Sequence, residues 1–165
     1  MTTSTPVLPS AATVLEHLVP AGGVVVGDDG SPASRAVVRW AADDAARRGA
    51  PLHVVRAWSI TTAPTPRTWA PGYVPPFTDF EAAVREELER TRRPLVDGRE
   101  GLDVRWHAVH GRPETVLSTA STGADLLVVG SRGRGELREL LLGSVASAVL
   151  HSASCPVVVV RGRAA

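Results

Sequence analysis

The chain has 165 residues and a formal net charge of +1, so nothing at the level of the whole molecule favours nucleic acid or an anionic membrane as partner. Its hydrophobic content of 44% suits one domain with a sizeable core and is too high for a disordered chain. All 18 basic residues are arginine, and the missing lysine excludes a Walker A loop and Schiff-base chemistry.

Residues 1–21, rich in Thr, Ser, Pro and Ala, read as a loose leader, with 22–163 as a single domain. The leader has no basic segment of the kind that opens a secretory signal, and no apolar run nears the roughly 20 residues of a membrane span. A cytoplasmic protein is therefore expected. Val24–Val26 form a short buried strand closed by the turn Gly27-Asp28-Asp29-Gly30. Ser31 is placed as N-cap and Pro32 as the first residue of a helix that ends at Gly49. Residues 51–58 give a second strand. Residues 59–77 hold five prolines and are too long a loop to be a simple connection. Asp79–Val96 reads as a helix, 101–111 as a strand, Pro113–Ala120 as a helix and 124–130 as a strand buried on both faces. Val145–Ser152 is the last helix. Cys155, the single cysteine, is expected as a small buried residue ahead of the last strand, 156–161. Regular alternation of strand and helix means a parallel sheet with helices on both faces. Such sheets bind ligands outside the carboxyl ends of their strands.

The segment "LLVVGSRGRGELRELLLGS", 126–144, carries the chemistry. Gly130 ends a strand where a ligand can approach bare backbone. Gly133 and Gly135 are expected at positive φ, turning N–H groups inward toward an anion. Gly143 and Ser144 open the next helix, whose first N–H groups lack internal partners and attract phosphate. Arg132, Arg134 and Arg138 offer further positive charge. The pattern Gly130-x2-Gly133-x9-Gly143-Ser144 resembles the ATP-binding signature of the universal stress protein family. "VVVGDDGSPASRAVVRWA" and "SVASAVLHSASCPVVVVR" are similar to that family at the expected places, over about residues 22–161.

The resemblance implies a five-stranded sheet of order 3-2-1-4-5, Rossmann-like or flavodoxin-like, and a set of nucleotide-binding positions. Asp29 would contact the nucleoside, within the turn Gly27, Gly30 and Ser31. Ala57 would lie against adenine through its backbone. Gly130 and Gly133 would meet the ribose and phosphates, with Gly111, Val129 and Arg132 beside them. Gly143, Ser144 and Val145 would hold the β- and γ-phosphates. ATP with Mg2+ is the implied ligand, and no catalytic or protein metal-ligand set is assigned. Asp28 departs from the apolar residue usual in that family and is expected to be solvated. Arg56 stands where a histidine is common and is expected to reach solvent or a dimer surface.

Other chemistries fit less well. No G-x-G-x-x-G follows the first strand, and no G-x-S-x-G elbow exists. The five histidines lack metal spacing and read as satisfied structural residues. Two classes remain. One is a regulatory stress-response module that binds ATP with little or no turnover, or AMP or cyclic AMP in its place. The other is a slow ATPase or a nucleotidyl- or phosphoryl-transferring enzyme of the same fold. In the second, Glu136 and Glu139 are candidate metal carboxylates. The apolar last strand, Val157–Val160, is expected at a sheet edge and to pair with its own copy in a homodimer, which Val158→Pro should disrupt.

Overall fold

The computed structural model describes residues 18–133 and 142–161. The expectations for Arg134, Gly135, Glu136, Arg138 and Glu139, and for most of the leader, lie outside the described residues. The elements are β1 (Val24–Gly27), α1 (Ser34–Arg48), β2 (Leu52–Trp58), α2 (Phe77–Val96), β3 (Val104–His110), α3 (Pro113–Ser121), β4 (Leu126–Gly130), α4 (Ser144–Ser152) and β5 (Val157–Val160). The five strands are parallel and lie in the order β3-β2-β1-β4-β5.

Side-chain alternation along the strands divides the core in two. Val24, Val26, Leu52, Val54, Leu126 and Val128 pack against α1 and α2, through Val37, Val38, Ala41, Leu88 and Leu95. Val25, Val55, Val109, Leu127 and Val129 pack against α3 and α4, through Val116, Leu117, Ala120, Ala146 and Val149. Leu18, within the stretch read as a leader, is buried in this second cluster. Because the central strands are covered on both faces, they read as continuous apolar runs.

Several boundaries differ from expectation for local reasons. Ser31 is not the N-cap of α1, because Pro32 and Ala33 form a turn closed by the Arg35 N–H on the Pro32 carbonyl at 3.2 Å. The Ser31 hydroxyl instead accepts the Ser34 N–H at 3.2 Å, and the α-helix begins there. Helix α2 starts two residues early, directly after Pro76, whose extended ψ of 156° ends the loop. The loop itself folds back on the domain, and Thr62 and Pro64 wall the cavity described below.

β5 is an edge strand, and Val157–Val160 are each half-buried. The Pro156 and Val160 carbonyls accept N–H groups from Leu127 and Ser131. In a parallel ladder both backbone groups of a residue face the same neighbour, so residues 156, 158 and 160 face β4. Val157 and Val159 therefore turn their N–H groups to the open edge. Val158→Pro would break the sheet from within, and Val159→Pro is the substitution that probes the edge.

His53 and His107 stack across β2 and β3, with ring centroids 5.2 Å apart and Nδ1 of His53 3.1 Å from Nε2 of His107. Against the expectation of a satisfied histidine, Nε2 of His53 is buried with no hydrogen-bond partner. Burial, and then the neighbouring imidazole, push His107 down to about 4, and burial lowers His53 as well. Folded pKa values below the ordinary 6.5 mean that the unfolded chain binds more protons between about pH 4 and 6.5. Stability should therefore fall as pH drops through that window. His107→Gln should flatten the dependence in urea-melt midpoints taken from pH 4.5 to 7, and an unchanged slope would contradict this assignment.

Candidate nucleotide-binding site

Strand order reverses between β1 and β4, where the crevice at the carboxyl ends of a parallel sheet is expected. A cavity of about 600 Å³ opens there. It brings together Gly27, Asp29, Ala57, Gly111, Val129, Gly130, Arg132, Gly133, Gly143, Ser144 and Val145. Two residues placed in the site by sequence, Gly30 and Ser31, do not line it. Their N–H groups turn back on the chain, Gly30 to Asp28 Oδ2 at 3.2 Å and Ser31 to Asp29 Oδ1 at 2.9 Å.

That second bond fixes Asp29. Its other oxygen, Oδ2, is buried and has no hydrogen-bond partner. A Cβ at Gly133 would sit 3.6 Å from this oxygen, so the glycine loop passes directly beside it. A buried carboxylate oxygen without a donor is costly unless a ligand supplies one. Gly130 and Gly27 work by closeness more than by positive φ. Gly133, expected in the left-handed region, is not there, and neither is Gly130; around this site Gly30 and Gly111 are, at φ 80° and 155°. A Cβ at Gly130 would lie 3.2 Å from the Arg132 carbonyl, and one at Gly27 would lie 2.9 Å from Leu117 Cδ1. The first lets the loop fold back over β4, and the second lets α3 pack on β1.

Gly143 donates its N–H to the Ser131 carbonyl at 2.7 Å, which ties the start of α4 to the residue that follows β4. Its own carbonyl accepts the first helical bond, from Ser147 at 2.9 Å. Ser144, Val145 and Ala146 thus form the first turn of α4 and line the cavity. First-turn N–H groups have no partner within the helix and carry its positive dipole end. Ala57 supplies backbone at the other end. The Val55 carbonyl bonds the Asp28 N–H toward β1, and the Trp58 carbonyl bonds the Gly111 N–H toward β3. By alternation Ala57 faces the β1 side, at a level where β1 has already ended at Gly27.

Asp28 and Arg56, both expected near solvent, are buried at 4% and 7% exposure. Asp28 Oδ2 accepts from Arg56 Nε at 3.0 Å and also from Nη2. Asp28 Oδ1 accepts from Arg92 Nε at 2.7 Å and from the Ser34 hydroxyl at 2.6 Å. Arg92 also donates to the Ser34 hydroxyl at 3.0 Å and the Ser31 carbonyl at 3.1 Å. Burial alone would raise the Asp28 carboxyl, but the two guanidinium charges and the Ser34 bond outweigh it and hold it below its ordinary value. Asp28, Ser34, Arg56 and Glu87 line the cavity alongside Trp58, His110 and Arg112, none of which was assigned a role from sequence. The signal available for Arg56 was a charge inside the apolar run "LHVVRAW".

Among the described residues, no group of three His, Cys, Asp or Glu side chains is placed to hold a metal ion. No described helix is long and apolar enough to cross a membrane.

A doubly wound α/β domain with a ligand crevice at its switch point is the class that fold and cavity define. The family model for the universal stress protein family matches residues 22–161, and the chain belongs to that family. A universal stress protein of Mycobacterium tuberculosis is 41% identical over 142 residues, which cover 84% of this chain and 45% of the relative. The chain spans about half the length of the curated relatives it matches. UspA from Lactobacillus plantarum superposes with a TM-score of 0.67 at 21% identity, over 87% of this chain and 99% of that one, which shows the shared fold. A universal stress protein solved in complex with cAMP has a TM-score of 0.62 at 28% identity, over 87% of this chain and all of that one (100%).

Proposed function

We propose that this protein is a stress-response regulator that binds ATP, carried with Mg2+, in the switch-point crevice and turns it over slowly or not at all. The unpartnered Asp29 Oδ2, beside Gly133, carries the reading: it is an acceptor waiting for a ribose hydroxyl. Ala57 backbone faces the base, and the first turn of α4 takes the phosphates. Mg2+ would arrive on the phosphate oxygens, as it does where few protein ligands are offered. Asp29 belongs to the nucleoside end and so is poorly placed to orient water at a γ-phosphate, which argues against fast hydrolysis. Occupancy then acts as the signal that partners sense.

Nucleotide-free protein should gain roughly 2.7 kcal/mol of stability at a hundredfold excess of Mg-ATP over its dissociation constant. The test is a thermal melt with and without the nucleotide, and an unshifted melt would sink the reading. The cAMP-bound relative supports a second reading, in which a nucleoside monophosphate takes the same crevice. Competition among ATP, AMP and cyclic AMP separates the two, and phosphate release measures turnover.

A homodimer through Val157–Val160 is part of the proposal, with the outward N–H groups of Val157 and Val159 pairing with a second copy. Sedimentation should show dimers for the native chain and monomers for Val159→Pro. A native monomer at micromolar concentration would overturn it.

A further inference from the structure

The wall of the cavity at the end of β2 contains a carboxylate that the reading above does not use. Glu87, on α2, lines the cavity with its side chain 31% exposed. Among the described residues its carboxylate accepts no hydrogen bond, and its one charged neighbour is Arg56 Nη1 at 3.6 Å. Arg56 cannot swing away to close that gap. Its Nε and Nη2 are both committed to Asp28, which Arg92 and Ser34 hold in turn. The guanidinium is therefore a fixed post, and its third nitrogen holds Glu87 at the cavity wall without satisfying it.

We infer that Glu87 is a base-specificity residue, reading the exocyclic amino group of adenine by accepting one of its protons. The inference rests on the proposed nucleotide site. Ala57, whose backbone faces the same end of the crevice, supplies both a donor and an acceptor. An amino group beside a ring nitrogen acceptor is the edge that complements a backbone N–H and C=O together. The amino group carries two protons, so one is left for Glu87. A base with an oxo group in that place offers lone pairs to a carboxylate and an N–H to the Ala57 N–H. Both contacts are repulsive, and rejection follows from unpaired polar groups in a desolvated site. Arg56 acts here as a positioning residue, by directing the carboxylate.

The experiment compares ATP with inosine triphosphate, which carries an oxo group and a ring N–H where adenine has an amino group and a ring acceptor, by calorimetric titration of the native chain and of Glu87→Gln. The native chain should prefer ATP by roughly tenfold or more, the range expected for a bond to a charged acceptor. In Glu87→Gln the amide can accept from an amino group or donate to an oxo group, so the preference should fall by roughly tenfold, and what remains is the share of the Ala57 backbone. A native chain that binds both nucleotides equally overturns the inference and leaves the nucleotide site standing. A preference that survives intact in Glu87→Gln assigns base reading to the Ala57 backbone and likewise overturns it. Binding of neither nucleotide removes the site itself, and the inference with it. The native comparison can overturn the inference without any variant, and Glu87→Ala, which should lose the same share of the preference, replaces Glu87→Gln where that variant folds poorly.

Discussion

Asp28→Asn is expected to destabilise the domain by about 3–5 kcal/mol, the cost of leaving buried charge uncompensated. The substitution keeps the shape of the side chain and removes the negative charge that holds Arg56 and Arg92, whose side chains are 8% and 4% exposed. Glu87 would remain as counter-charge to Arg56 at 3.6 Å, but nothing described replaces Asp28 beside Arg92. The same group should shape acid unfolding. Its folded pKa lies below the ordinary 3.8, so its contribution is fully present above that value and is lost as pH falls through the folded pKa. That window lies below the one assigned to the histidine pair, so the two can be told apart. Urea unfolding at neutral pH and between pH 2 and 4 checks both points. A loss under 1 kcal/mol, with an unchanged acid limb, would mean that the cluster is solvated after all.

Ser144→Glu is expected to weaken Mg-ATP binding by at least about a hundredfold while leaving the fold intact. Ser144 is exposed at the first position of α4, where a carboxylate is favourable for the helix itself. The same carboxylate would stand where the phosphates are proposed to lie. Two like charges about 4 Å apart near a protein surface repel by roughly 4 kcal/mol at an effective dielectric of 20. Circular dichroism should show native helix content and melting at or above the native temperature. Unchanged affinity would move the phosphates elsewhere in the cavity.

The parts of the site that a local signal encodes were legible in the sequence. Gly130, Gly133, Gly143 and Ser144 announce themselves by spacing between a strand end and a helix start. Alternation of apolar runs with amphipathic helices gave the parallel sheet, and the family resemblance gave its order. What escaped was non-local. Asp28, Arg56 and Arg92 lie 28 and 64 residues apart in pairs, and nothing in the neighbourhood of Asp28 names its partners. A single charged residue in a turn is usually solvated, so the general tendency pointed the wrong way. The proline-rich loop was equally opaque: composition shows that it is irregular, not that Thr62 and Pro64 fold over a cavity. Gly133 was misjudged because a glycine does not by itself imply a positive φ: it has none here, and a Cβ would make only ordinary contact with Asp29, 3.6 Å away.

The most direct test of the central claim is equilibrium titration of nucleotide-free native protein with Mg-ATP, with stoichiometry fixed by protein concentration. One adenine nucleotide bound per chain, lost in Ser144→Glu, is the predicted result. No saturable binding up to millimolar ATP, by a protein shown to be folded, would contradict the account.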